Sequence, residues 1–287
     1  MKKCQHGYVW EEAGCADCYT ANLNKKLQKY MDLGWYGSAK NLAEWYVRIA
    51  PAHQQGDIFP EIVIARSAWQ LSDYAFAAEK MEELKDSCSP EDRAEMLGRL
   101  QEYEQMPVSG RRLGPEVTCN DARVEKTLKR LAFIFHEIKK PVAGYVIESE
   151  QDYAEYMKTY LPTEKVPYSY FKACGFYSGK DAYHVIFHKS VIDKFDDTAL
   201  TGICAHELAH LELTDKNVRY WFFQPASGAC KEDFHMNERL TDLYVISKGL
   251  AYPLWYCRGE RKKESHTILT REDIYNMICD FDCYLRP

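Results

Sequence analysis

Residues 195–213 read FDDTALTGICAHELAHLEL, and within them His206, Glu207 and His210 stand as H-E-x-x-H. On a helix, side chains four positions apart lie one turn above each other on one face. Both imidazoles can then point at one metal ion, with Glu207 leaning toward a water bound there. Two neutral nitrogens, an open position and a carboxylate to take a proton are the parts of a zinc hydrolase. The flanks support a helix: Asp196 or Asp197 can cap its start, and Leu200, Ile203, Cys204 and Leu211 recur at helical spacing to bury one side. Residues 213–217 read as the polar exit. Two histidines do not make a catalytic zinc site, so a third ligand must come from elsewhere in the chain.

Residues 235–249, HMNERLTDLYVISKG, offer one. Leu240, Leu243 and Tyr244 give this stretch a helical apolar stripe, and Gly249 is a stop signal. Glu238 and Asp242 share a face. Glu238 would complete a His-His-Glu ligand set, and Asp242 would accept the outer N–H of a ligand imidazole, fixing its tautomer.

HELAH followed by Asn-Glu-x-x-Thr-Asp at 237–242 resembles the gluzincin zinc metallopeptidases, the thermolysin-like clan. The likeness spans at most residues 176–275. It implies that His206, His210 and Glu238 hold a catalytic zinc ion, that Glu207 is the general base, and that Asp242 orients a histidine. It also implies that the strand before the zinc helix edges the cleft and pairs with extended substrate. The metzincin pattern needs Gly at 213 and a ligand at 216, where this chain has Leu213 and Lys216. A second electrophile in that family is Tyr, His or Arg. Tyr220, Tyr244 and His235 are near in sequence, and the choice among them stays open.

The front of the chain carries a second metal pattern. Cys4-x-His6 and Cys15-x-x-Cys18 place thiolate and imidazole ligands in two close pairs, as a closed, structural zinc site requires. About 20 residues bury too little core to fold unaided, so zinc organises this segment or little does. Four protein ligands leave no room for catalysis there.

From 21 to 106 the pattern is helical, and residues 33–39 align with 71–77 at an offset of 38. Pro51 and Pro90 mark the end of each unit. This looks like tetratricopeptide-type repeats, whose usual period is about 34, or equally a plain helical bundle. A repeat face would bind a protein partner. Trp35, Trp45 and Trp69 are read as core.

Residues 107–118 are rich in Pro and Gly and read as a linker into a domain at 119–287. There, a helix over 121–139, a strand over 142–148, a helix over 151–161 and a strand over 183–188 precede the zinc helix. His184 and His188 fall on one strand face, but with His-His-Glu complete they are read as structural. Residues 220–223, Tyr-Trp-Phe-Phe, lie between the two ligand helices and are the first place to look for substrate selectivity. Cys230, Cys257, Cys279 and Cys283 are read as reduced thiols, with ligation of a further metal as the alternative, and Cys204 as core. Residues 270–283 read as a capped final helix.

The expected architecture is therefore α+β and mainly helical: a zinc-knuckle-like segment at 1–20, a helical module at 21–106, and a gluzincin-like domain with a small sheet beside the zinc helix. With 287 residues and 46% apolar content the chain can fill such domains. Its net charge of −6 speaks against bulk nucleic-acid binding. No apolar run reaches membrane-spanning length and the first residues lack the apolar core of a secretory signal, so the expected location is the cytoplasm, with delivery to another cell left open. The expected activity is zinc-dependent cleavage of a protein or peptide substrate chosen by the helical module, a single partner such as a repressor being one form of it. The alternative is a protein-binding regulator whose zinc domain no longer catalyses, and the intact Glu207 argues against it.

Overall fold

The computed structural model describes residues 16–49, 58–106, 114–160, 168, 174–216, 231–258 and 269–279. Cys4, His6 and Cys15 lie outside these, and of Cys18 only the backbone, in the first helix, is described. The chain divides into two units, one drawing on 1–106, 247–249 and 277–287, the other on 107–246 and 250–276.

The first unit is helical: α1 (Ala16–Asp32), α2 (Tyr36–Ile49), α3 (Phe59–Gln70), α4 (Tyr74–Leu84) and α5 (Pro90–Gln105). Each helix packs on the next in sequence, and α1 also on α3, as in stacked helix pairs. The offset of 38 has a structural meaning. Trp35 N donates to Tyr30 O at 2.8 Å and Gly34 N to Met31 O at 3.0 Å; Asp73 N donates to Ala68 O at 2.9 Å and Ser72 N to Trp69 O at 3.1 Å. These are the same helix-ending turn made twice. Both turns need a left-handed residue, and Gly34 (φ 71°) and Ser72 (φ 65°) occupy that place. Equivalent positions are buried in both pairs: Leu27 with Ala65, Tyr30 with Ala68, Ala39 with Ala77, Ala43 with Met81, Tyr46 with Leu84. Pro90 closes the second pair by opening α5 behind the cap Ser89, whose hydroxyl accepts from Asp92 N. Trp45 and Trp69 are core as expected, but Trp35 is 37% exposed because it sits in the turn and not on a helix face.

Ser72 carries a cost that Gly34 does not. A left-handed L-residue is disfavoured by roughly 1–2 kcal/mol. Ser72→Gly should therefore stabilise the chain by about 1 kcal/mol, read as a raised denaturant midpoint, and Gly34→Ser should lower it. Lower stability in Ser72→Gly would show that the hydroxyl, and not the backbone, controls the turn.

The second unit holds a four-stranded sheet in the order β1-β2-β4-β3. The elements after α5 run β1 (Val117–Cys119), α6 (Ala122–Ile134), β2 (Val142–Ile147), α7 (Glu150–Tyr160), β3 (Cys174–Ser178), β4 (Tyr183–His188), α8 (Lys189–Ile192), α9 (Asp197–Asp215), α10 (Lys231–Ser247), α11 (Ala251–Cys257) and α12 (Arg271–Cys279). β1, β2 and β4 are parallel, with Gly144 opposite Val185, and β3 joins β4 antiparallel. The chain is thus mainly α with one small sheet, and no helix among the described residues is long and apolar enough to cross a membrane.

Alternation along β2 and β4 sorts the sheet's two faces. Ile147 and Ile186 face α7, against Tyr153, Tyr156 and Met157. Gly144 faces α6, where a Cβ would lie 2.9 Å from Leu128. β4 has a neighbour on each side, so the strand before the zinc helix is interior and not the edge that the family likeness implied. Its backbone donors and acceptors are spent on β2 and β3, and the edge beside α9 is β3.

α6 ends at Ile134, short of the expected 139, because later amides turn to α9 instead of continuing the helix. Glu137 N donates to Glu212 Oε1 at 3.3 Å and Lys139 N to Asp215 Oδ2 at 2.7 Å.

Candidate metal centre

α9 carries the motif and is fixed at both ends. Asp196, not Asp197, is its cap, accepting from Ala199 N at 2.9 Å. Asp197 instead pairs with Arg123 at 2.8 Å. At the exit, Tyr183 donates its hydroxyl to Asp215 Oδ1 at 2.7 Å. Burial is not one-sided as the apolar spacing predicts. Fourteen residues of α9 are buried, while Ile203 is only half-buried. A helix covered all round is a central helix, and α6 and α11 cover this one. α11 comes so close that a Cβ on Gly202 would lie 2.2 Å from Pro253 O.

α10 brings Glu238 to this helix. His206 Nε2 lies 3.1 Å from Glu238 Oε2 and 3.1 Å from His210 Nε2, and His210 Nε2 lies 3.3 Å from Glu238 Oε1. Donors about 2.0–2.1 Å from one tetrahedral ion stand roughly 3.3 Å apart, so the spacing suits zinc. No other group of three metal-ligating side chains converges this way among the described residues.

Proton bookkeeping gives an independent reason for a cation. His206 Nδ1–H donates to Asp242 Oδ1 at 2.8 Å, since a carboxylate only accepts. Thr241 donates its own hydroxyl to Asn237 O at 2.9 Å, so at 3.1 Å it accepts from His210 Nδ1–H. Both outer nitrogens therefore carry ring protons, so in the neutral rings both Nε2 lone pairs point at each other and at a carboxylate. Three lone pairs facing one another in a buried place repel unless positive charge sits among them. The electrostatics agree. Burial alone would lower the His206 pKa, but Asp242 and Glu238 override it and push it up to about 10. Burial would raise Glu238, yet His206 and His210 hold it well below the usual carboxylate range.

Glu207, 4% exposed, lies beside these donors in sequence and is not one of them. Tyr244 takes a hydrogen bond from Lys216 Nζ at 2.7 Å, at the exit of α9. Tyr220 and the His235 side chain lie outside the described residues. His184 bonds the Tyr156 hydroxyl through Nδ1, and the His188 ring lies tilted against Tyr168 with the centroids 5.0 Å apart, so neither joins the cluster. Cys204 is fully buried, with its thiol pKa raised by that burial, and Cys257 donates to Leu254 O at 3.1 Å. Cys230 and Cys283, and the Cys279 side chain, are outside the described residues.

Three groups in this network escaped sequence reasoning. Thr241 stood inside the quoted motif without a role. Arg258, whose Nη2 bonds Asp242 Oδ1, and Leu269, whose N–H donates to Asp242 Oδ2 at 2.9 Å, carry no sequence signal, because only folding brings 258 and 269 to 242. No family model, curated protein or solved structure matches this chain.

Proposed function

We propose that this protein is a zinc-dependent peptidase of the gluzincin kind. The observation that carries the reading is the convergence of two imidazole lone pairs and the Glu238 carboxylate, with both outer nitrogens held by Asp242 and Thr241. A zinc ion there would supply Lewis acidity toward a scissile carbonyl and a water of lowered pKa. His206, His210 and Glu238 would hold it. Asp242 and Thr241 keep both rings in the tautomer that presents Nε2. Glu207 takes the proton of the attacking water and passes it to the leaving amine.

A peptide substrate, and not a small molecule, is favoured by the sheet. Among the described residues β3 is paired on one side only, and α9 packs against it. An extended chain adding to that edge would run beside the metal helix. The stacked helix pairs of the first unit supply a surface for choosing the protein to be cut.

Labelling of new peptide ends in a cell lysate, with the chain added alone or with a chelator, tests this. New ends that vanish with the chelator are expected; an unchanged set would sink the reading. Metal analysis tests the front segment separately. The intact chain should hold two zinc ions, and Cys15→Ser with Cys18→Ser should hold one. The same metal content in both would remove the N-terminal site.

A further inference from the structure

Asp242 is fully buried and its carboxylate is held from three directions. His206 Nδ1 donates to Oδ1 at 2.8 Å, Arg258 Nη2 donates to the same Oδ1, and Leu269 N donates to Oδ2 at 2.9 Å. Arg258 Nη2 and His206 Nδ1 stand 3.3 Å apart because both converge on one oxygen. Donors on separate oxygens stop a carboxylate from turning about its Cβ–Cγ bond. Arg258 is a poor choice for fold stability alone: its Nε is buried with no hydrogen-bond partner among the described residues.

Charge supplies the second half. With a metal ion on Nε2, the His206 ring is neutral, and Asp242 is a buried anion behind it. Arg258 is the cation beside Asp242 in that state.

We propose that Arg258 is a positioning residue of the metal site, fixing the Asp242 carboxylate so that His206 turns Nε2 toward His210 and Glu238. This rests on the metal-site reading above. Its effect on the metal passes through Asp242.

The test uses the full chain, zinc competition against a chromophoric chelator, and thermal unfolding of the chelator-treated protein. Arg258→Met should weaken zinc binding by about 10-fold, the lower end for loss of an outer partner, in a chain that metal-free unfolding shows to be folded at the temperature of the binding assay. Asp242→Asn should weaken it further, and the double variant should match Asp242→Asn alone. Arg258→Lys, which keeps the charge without the planar fork, should fall between wild type and Arg258→Met. Wild-type affinity in Arg258→Met would overturn the proposal. So would losses that multiply in the double variant. If Arg258→Met does not fold, an Arg258→Lys variant that folds and binds zinc as tightly as wild type overturns it equally. A wild-type chain that binds no zinc would overturn the metal-site reading itself, which keeps the two failures apart.

Discussion

Glu238→Ala should strip zinc from the α9 site almost completely while the metal-free chain stays folded. Its two carboxylate oxygens face the two imidazoles separately, at 3.1 and 3.3 Å. Removing them leaves two nitrogens, one ligand fewer than any catalytic zinc site uses. The loss should exceed the roughly 10–100-fold expected when an outer partner such as Asp242 is removed. The fold should survive because the same change relieves a buried carboxylate of its need for a nearby cation. Dialysis against a weak chelator followed by metal analysis reads the result. Full zinc at this site in Glu238→Ala would place the ion elsewhere and end the His-His-Glu assignment, although HELAH could still be a metal motif with a different third ligand. His235, Glu232 or Asp233 would then be the residues to change next.

Glu207→Gln should separate chemistry from binding. Glutamine keeps the size of the side chain and removes its ability to take a proton. Zinc content should match wild type, because Glu207 is not among the converging donors. Turnover of a peptide substrate should fall by about 10²-fold or more, the range for a general base. The pair of variants is diagnostic: Glu238→Ala loses metal and activity together, Glu207→Gln loses activity alone. Zinc lost in Glu207→Gln would make it a ligand or a structural residue. Activity retained there would move the base to another group. An intact zinc site with no activity in wild type would favour the regulator reading.

How far the sequence reached depends on the distance between interacting residues. Local signals were legible. The acidic pair at 196–197 before an apolar run, the capped helix start at 270 and the β-rich stretch over 183–188 each specify backbone within a few residues, and a cap at Asp196, a Thr270–Asp273 capping pair and a strand are found there. His206 and His210 were legible for the same reason, since helical geometry alone puts them on one face. The repeat at an offset of 38 marked the two helix-ending turns.

Long-range consequences were not legible. Nothing local says that α6 stops at Ile134, because what stops it is a pair of carboxylates on α9 that take its next amides. Strand order is likewise set by pairing between distant segments, so β4 could not be known as interior from its own alternation. The burial of α9 on nearly every side depends on α6 and α11 closing around it. At the site, spacing alone named Glu238 and Asp242 as candidates. Only the fold shows Glu238 between the two imidazoles and Asp242 behind His206, with Arg258 and the Leu269 amide holding it in place. A hydrogen bond is short and directional, so its partners are chosen by the packing of helices, and that packing is a property of the whole chain.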